Sequence, residues 1–275
     1  ISDSVTTIDG FLLDKVESTQ NSIILNMNKK DTTSNFKSIS LYLDGQLVSE
    51  KNYSEKIVFD NLLSNTEYTV SLKYTYTNNG AEREKEVLVN VNTLEKTIPS
   101  VAINSLLANK NEITYKFDES DIDKTKTKVT VSLYNGLNKV GELNSLEDKF
   151  TDLLSNTNYK VVLNYEYDLN DGNGKNVITE EYEIKTDEKS KPVITINSLV
   201  GSKEEINFKF DKVDSDNTIK NVYVTLYLDS NKVNSISLLE GKFEKLLSST
   251  NYKVVLTCEY DLNDGEGIQV ITQDY

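Results

Sequence analysis

Apolar and polar side chains alternate along most of this chain. Ile113, Tyr115 and Phe117 fall on one side of a run whose other side carries Thr114 and Lys116. Val129, Val131 and Leu133 repeat the pattern, and Tyr159, Val161, Leu163, Tyr165 and Tyr167 form the longest run. A period of two, held over roughly five to nine residues and broken by Asn, Asp and Gly clusters, predicts half-buried β-strands. No sustained run places apolar residues at helical spacing.

The same pattern recurs along the chain. The segment LLSNTEYTVSLKYTY runs from Leu62 to Tyr76, LLSNTNYKVVLNYEYDLNDGNG from Leu153 to Gly174, and LLSSTNYKVVLTCEYDLNDGEG from Leu246 to Gly267. The tyrosines Tyr68, Tyr159 and Tyr252 thus mark a period of roughly 90 residues, the size of a small domain. The two prolines, Pro99 and Pro192, keep the same register, and each opens a predicted strand containing the sequence INSL. Proline at the first residue of a strand costs no ladder hydrogen bond. Charged connectors, TLEKTI and TDEKSK, precede them. Composition and register therefore place domains at 1–95, 96–187 and 188–275, the first being the most divergent. Tyr275 aligns with Tyr182, which EIKT follows in the second repeat. The last strand of the third repeat is expected to be cut short, in a parent chain that continues.

About seven strands per repeat, alternating in this way, predict an all-β chain of three tandem seven-stranded antiparallel β-sandwiches in an elongated array. The motif Leu-x-x-x-Thr-x-Tyr at Leu62/Thr66/Tyr68, Leu153/Thr157/Tyr159 and Leu246/Thr250/Tyr252 resembles the tyrosine corner of fibronectin type III and related immunoglobulin-like domains. The resemblance implies that Tyr68, Tyr159 and Tyr252 are structural, each hydroxyl bonding to the backbone of the corner while the ring packs inside. Two positions depart from that family. Ser64, Ser155 and Ser248 stand where it usually has proline, and Phe117, Phe210 and Met27 replace its core tryptophan. The longer pattern NTxYxVxLxYxYDLNDGxG is also similar to repeats in cell-surface and phage-tail proteins of Gram-positive bacteria.

Charge and composition narrow the function. The formal net charge is −14, with 44 acidic residues against 30 basic ones, which argues against nucleic acid and against an anionic membrane surface. No apolar run reaches the ~18 residues of a membrane span. Histidine is absent, removing the commonest general base and zinc ligand. Cys258 is the single cysteine and aligns with Tyr74 and Tyr165, so it is read as a buried thiol and not a nucleophile. The triplet at Asn52 to Ser54 meets the glycosylation pattern, as do others expected by chance in an Asn-rich chain.

The acidic loops are the sharpest candidate chemistry. Asp118, Asp121 and Asp123 lie between the second and third predicted strands of the second repeat, and Asp168, Asn170 and Asp171 between its last two. Asp211, Asp214, Asp216, Asp261, Asn263 and Asp264 match them in the third repeat. In this topology both loops share the pole facing the preceding repeat. Hard oxygen ligands converging from two loops suit calcium, the candidate cofactor. The first repeat has NKKDTT and YTNNGA instead, so the acids occur only where a junction exists. Asn-Asp-Gly is equally good hairpin chemistry. Paired carboxylates of a glycosidase are a poor fit, because an active site seldom occurs twice without a pocket-forming insertion.

The chain thus reads as no enzyme but a structural spacer of a larger bacterial surface protein, extracellular or in the cell wall and monomeric. The alternatives are an adhesion module for a protein or glycan, which expects an exposed aromatic cluster, and a virion tail or baseplate accessory, which expects oligomers.

Overall fold

A computed structural model describes residues 6–8, 11–29 and 35–275. The described residues form strands and turns with no helix. In the first repeat the strands are β1 (Thr6–Ile8), β2 (Phe11–Ser18), β3 (Ile23–Lys29), β4 (Asn35–Leu43), β5 (Gln46–Lys51), β6 (Lys56–Phe59), β7 (Glu67–Asn78) and β8 (Ala81–Asn92). They form two sheets, ordered β1-β2-β3-β6 and β5-β4-β7-β8. The second repeat supplies β9 (Ser100–Ala108), β10 (Ile113–Ser120), β11 (Lys126–Asn135), β12 (Asn138–Leu143), β13 (Glu147–Phe150), β14 (Asn158–Asp168) and β15 (Lys175–Lys185). The third supplies β16 (Val193–Gly201), β17 (Glu205–Val213), β18 (Ile219–Leu228), β19 (Asn231–Ile236), β20 (Glu240–Glu244), β21 (Lys253–Tyr260) and β22 (Gln269–Asp274). Sheets β13-β10-β9 and β12-β11-β14-β15 repeat the first arrangement, as do β16-β17-β20 and β19-β18-β21-β22. Each repeat is a sandwich of a three-stranded and a four-stranded sheet; β1 is an addition to the first.

The alternation read from the sequence decides what each strand buries. Leu25, Met27 and Phe59 from one sheet of the first repeat pack with Ile39, Leu41, Val70, Leu72 and Tyr74 from the other. In the third repeat Phe208, Phe210 and Phe243 meet Val224, Leu226, Leu256 and Cys258. In the second, Phe117 of β10 packs on Tyr182 of β15, with ring centroids 6.0 Å apart. Pro99 and Pro192 stand one residue before β9 and β16 rather than as their first residues. β22 spans six residues where β15 spans eleven.

The hairpins differ in one consequential place. β7 and β8 are joined by Asn79 and Gly80, both at positive φ (51° and 79°), the two-residue turn that matches strand twist. The corresponding connections after β14 and β21 are longer, with Asn170, Gly172 and Gly174, and Asn263, Gly265 and Gly267, at positive φ. Of NKKDTT, residues 30–33 lie outside the described residues.

Compactness divides the chain differently from the repeat frame. One compact unit comprises 1–101, 119–129 and 165–178; the other comprises 102–118, 130–164 and 179–275. The loop ends of the second repeat fall with the first repeat.

Candidate functional site at the repeat joints

The tyrosine corners form the platform of each joint. Tyr68, Tyr159 and Tyr252 each accept a hydrogen bond at 2.9 Å from the backbone amide of Leu63, Leu154 and Leu247. The amides of Leu62, Leu153 and Leu246 donate to the carbonyls of Asn21, Asn111 and Glu204, tying each corner to the loop between the first two strands of its sandwich. Thr66, Thr157 and Thr250 donate their hydroxyls to the carbonyls of Ser64, Ser155 and Ser248. Asn65, Asn156 and Ser249 follow at positive φ (47°, 50° and 50°). The same short motif therefore folds the same way three times.

Within the first compact unit, the loop after β14 docks on the first corner. The Ser64 amide donates to the Asn170 carbonyl at 2.8 Å, and the Ser64 hydroxyl donates to the Leu169 carbonyl at 2.6 Å. The Asn170 side-chain amide returns a bond to the Leu62 carbonyl at 3.2 Å. Within the second compact unit the pattern recurs: Ser155 N to the Asn263 carbonyl at 2.8 Å, Ser155 Oγ to the Leu262 carbonyl at 2.6 Å, and Asn263 Nδ2 to the Leu153 carbonyl at 3.2 Å. Ser64 and Ser155 are fully buried, whereas Ser248 is exposed. Gly172 lies against Leu63 and Gly265 against Leu154; a Cβ there would stand 3.5 Å and 3.8 Å from the leucine methyls.

A carboxylate from the other loop completes each joint. Asp123 accepts from Gln20 Nε2 at 2.7 Å and from the Thr97 amide at 2.6 Å. Asp216 accepts from Lys110 Nζ at 2.5 and 2.7 Å and from the Ser190 amide at 2.7 Å. Gln20 and Lys110 hold equivalent places after β2 and β9. The Thr97 amide, then Gln20, hold the Asp123 carboxyl below the ordinary carboxylate range; for Asp216 the Lys110 side chain is the leading cause, followed by the Ser190 amide.

The other acidic residues shape the loops themselves. Asp121 accepts from the Thr125 amide and hydroxyl and from the Lys126 amide at 2.8 to 2.9 Å. Asp214 does the same with Thr218 and Ile219. Burial pushes both carboxyls up, but these donors together outweigh it and hold them low. Asp168 and Asp261 accept from the amides of Asn170 and Asn263 at 2.7 Å. Asp171 accepts from Asn173 and is lowered by its amide, and Asp264 accepts from the Glu266 amide at 3.0 Å. Asp118 and Asp211 lie inside β10 and β17 rather than in loops, where they accept from Asn104 and Asn197. The twelve residues read as calcium ligands are thus divided among separate hydrogen-bonding tasks. Among the described residues no group of three or more His, Cys, Asp or Glu side chains is gathered to hold a metal ion.

Ser64 and Ser155 proved to be cross-joint donors, a role not visible in the sequence. The available signal was their co-occurrence with DLNDG loops one repeat downstream. Cys258 is fully buried, and burial pushes its thiol pKa up.

No protein-family model and no curated protein sequence matches the chain. Among solved structures, it is similar to the FN1-FN3 domains of chicken CNTN1 at 13% identity, over 96% of this chain and 97% of that one, with a TM-score of 0.27. It is also similar to a run of domains from titin at 11% identity, over 95% and 96%, with a TM-score of 0.27.

Proposed function

We propose that the chain is a non-catalytic spacer segment of a larger bacterial cell-surface protein, in which successive sandwiches are locked by a repeated joint. The observation that carries this reading is the recurrence of one hydrogen-bond set, Ser64 with Leu169 and Asn170, and Ser155 with Leu262 and Asn263, at matching distances. A spacer must transmit orientation from repeat to repeat. Buried, directional bonds at each joint do this, while a flexible linker would not. The acidic side chains that could have served chemistry are instead acceptors for backbone and side-chain donors. Among the residues whose side chains are described, Tyr275 is the exposed aromatic, so the aromatic cluster that an adhesive surface would expect is not what favours a function here.

Residual dipolar couplings in solution test the reading. One fixed orientation across each joint, unchanged by moderate salt, is expected. Independent tumbling of neighbouring repeats would sink it. Sedimentation over a concentration series tests the tail-protein alternative, which requires an oligomer.

A further inference from the structure

The third corner is built like the other two. Tyr252 holds the Leu247 amide at 2.9 Å, Leu246 bonds to Glu204 at 2.9 Å, and Ser249 sits at positive φ. Its surface is open: Leu247 is 65% exposed and Ser248 is exposed, where Leu63 and Leu154 are half-buried and Ser64 and Ser155 are buried. A cleft of about 360 Å³ at this corner is lined by residues including Ser202, Leu246, Leu247, Thr250 and Tyr252. Beside it, Lys203 stands exposed at the place of Lys110 in the loop following β16. From this geometry we infer that the corner Leu246–Tyr252, with Lys203, is a docking socket for a further sandwich of the same kind. That sandwich presents an Asp-Leu-Asn-Asp-Gly loop to Leu247 and Ser248, and an aspartate to Lys203.

The occupant follows from the two filled copies of the socket. In both, the leucine after the first corner residue meets the loop glycine, and the serine amide and hydroxyl bind two consecutive loop carbonyls. In the second, a lysine pairs with the incoming aspartate. Lys203 preserves that charge complementarity. Both DLNDG loops of this chain are engaged in its own joints, so a second copy has none to offer. The first repeat has the tight Asn79–Gly80 turn in place of such a loop. The partner is therefore a repeat of the second or third kind, and assembly at this pole is directional.

This inference rests on the spacer reading, and one experiment separates the two. Because Tyr275 aligns with Tyr182, a second copy of residues 183–275 is appended after Tyr275, and amide hydrogen exchange is followed in both chains. Slow exchange at Ser64 and Ser155 in both reports the existing joints and so the spacer reading. The inference expects the Ser248 amide to exchange freely in the 275-residue chain and to slow by roughly tenfold or more in the extended one. Adding Lys203→Glu should reverse part of that gain. Unchanged exchange at Ser248, with the appended copy's buried cysteine unreactive and hence folded, overturns the inference. Protection of Ser248 that grows with concentration in the unextended chain also overturns it, since the occupant is then a second copy. Should the appended copy not fold, a cyclised peptide of residues 167–174 added to the 275-residue chain is the probe. Shifts confined to Leu246–Tyr252 and Lys203 support the socket, and their absence rejects it.

Discussion

The hydroxyl of Ser155 donates to the carbonyl of Leu262 at 2.6 Å, across 107 residues of sequence and with the serine fully buried. Truncating the serine strands a buried carbonyl, at about 1–3 kcal/mol. Ser64→Ala and Ser155→Ala should therefore each destabilise the chain by about that amount in denaturant unfolding. Ser248→Ala, at the open corner, should be within about 0.5 kcal/mol of the parent. Equal effects at all three serines would show that the hydroxyls serve the corner turn and not the joint.

The loop glycines provide a second, independent handle. Gly172 and Gly174 have nearly the same positive φ (85° and 81°), but only Gly172 lies against a side chain, Leu63. Alanine at either pays the left-handed backbone strain, about 1–2 kcal/mol. Gly172→Ala should in addition loosen the first joint, seen as faster exchange of the Ser64 amide, while Gly174→Ala should leave that amide protected. Gly265 and Gly267 form the same pair at the second joint, with Leu154 as the neighbour.

The strands were legible because burial enforces a period of two: Tyr159, Val161, Leu163, Tyr165 and Tyr167 are all buried, with the buried Val162 as the one break in the alternation. The corner was legible because Thr-x-Tyr after a leucine is a local motif. The joint was not, because its bonds run from Ser64 and Ser155 to main-chain carbonyls, and a carbonyl leaves no signature in the sequence. The acidic clusters pointed to the right pole. Their side chains, however, are drawn apart by different donors: Asp121 caps its own loop, whereas Asp123 reaches Gln20 and Thr97. Residue type alone does not distinguish these tasks from metal ligation.

Calcium titration is expected to leave thermal unfolding where a chelator leaves it. Asp121 and Asp214 already accept from three donors each, and Asp123 and Asp216 are engaged across the joints. A rise in melting temperature at millimolar calcium would mean that the loops rearrange to gather their carboxylates.

Acid should weaken the joints. Asp123 and Asp216 are held below the ordinary carboxylate value by Thr97 and Lys110 respectively. A carboxyl depressed in the folded state contributes stability above its unfolded value, about 3.9, and loses it as pH falls through the lower folded value. Stability conferred by these pairs is thus complete at neutral pH and declines below about pH 4. Asp123→Asn with Asp216→Asn should flatten this part of the acid limb of a melting-temperature profile. An acid limb as steep as the parent's would assign it to other carboxyls.

The three corner tyrosines make the same bond in different surroundings. Tyr159 is 3% exposed and Tyr68 2%, while Tyr252 is half-buried beside the open cleft. Removing the hydroxyl leaves the Leu63, Leu154 or Leu247 amide without its acceptor. Water can replace that acceptor at the third corner more readily than at the other two. Tyr68→Phe and Tyr159→Phe are expected to cost about 1–3 kcal/mol, and Tyr252→Phe about 1 kcal/mol or less. Appending the further repeat described above should raise the cost of Tyr252→Phe towards that of Tyr159→Phe, because docking would exclude water from the Leu247 amide. Denaturant unfolding of the tyrosine variants in both chain lengths measures this difference, and a cost at Tyr252 that is independent of chain length would detach the corner from the joint.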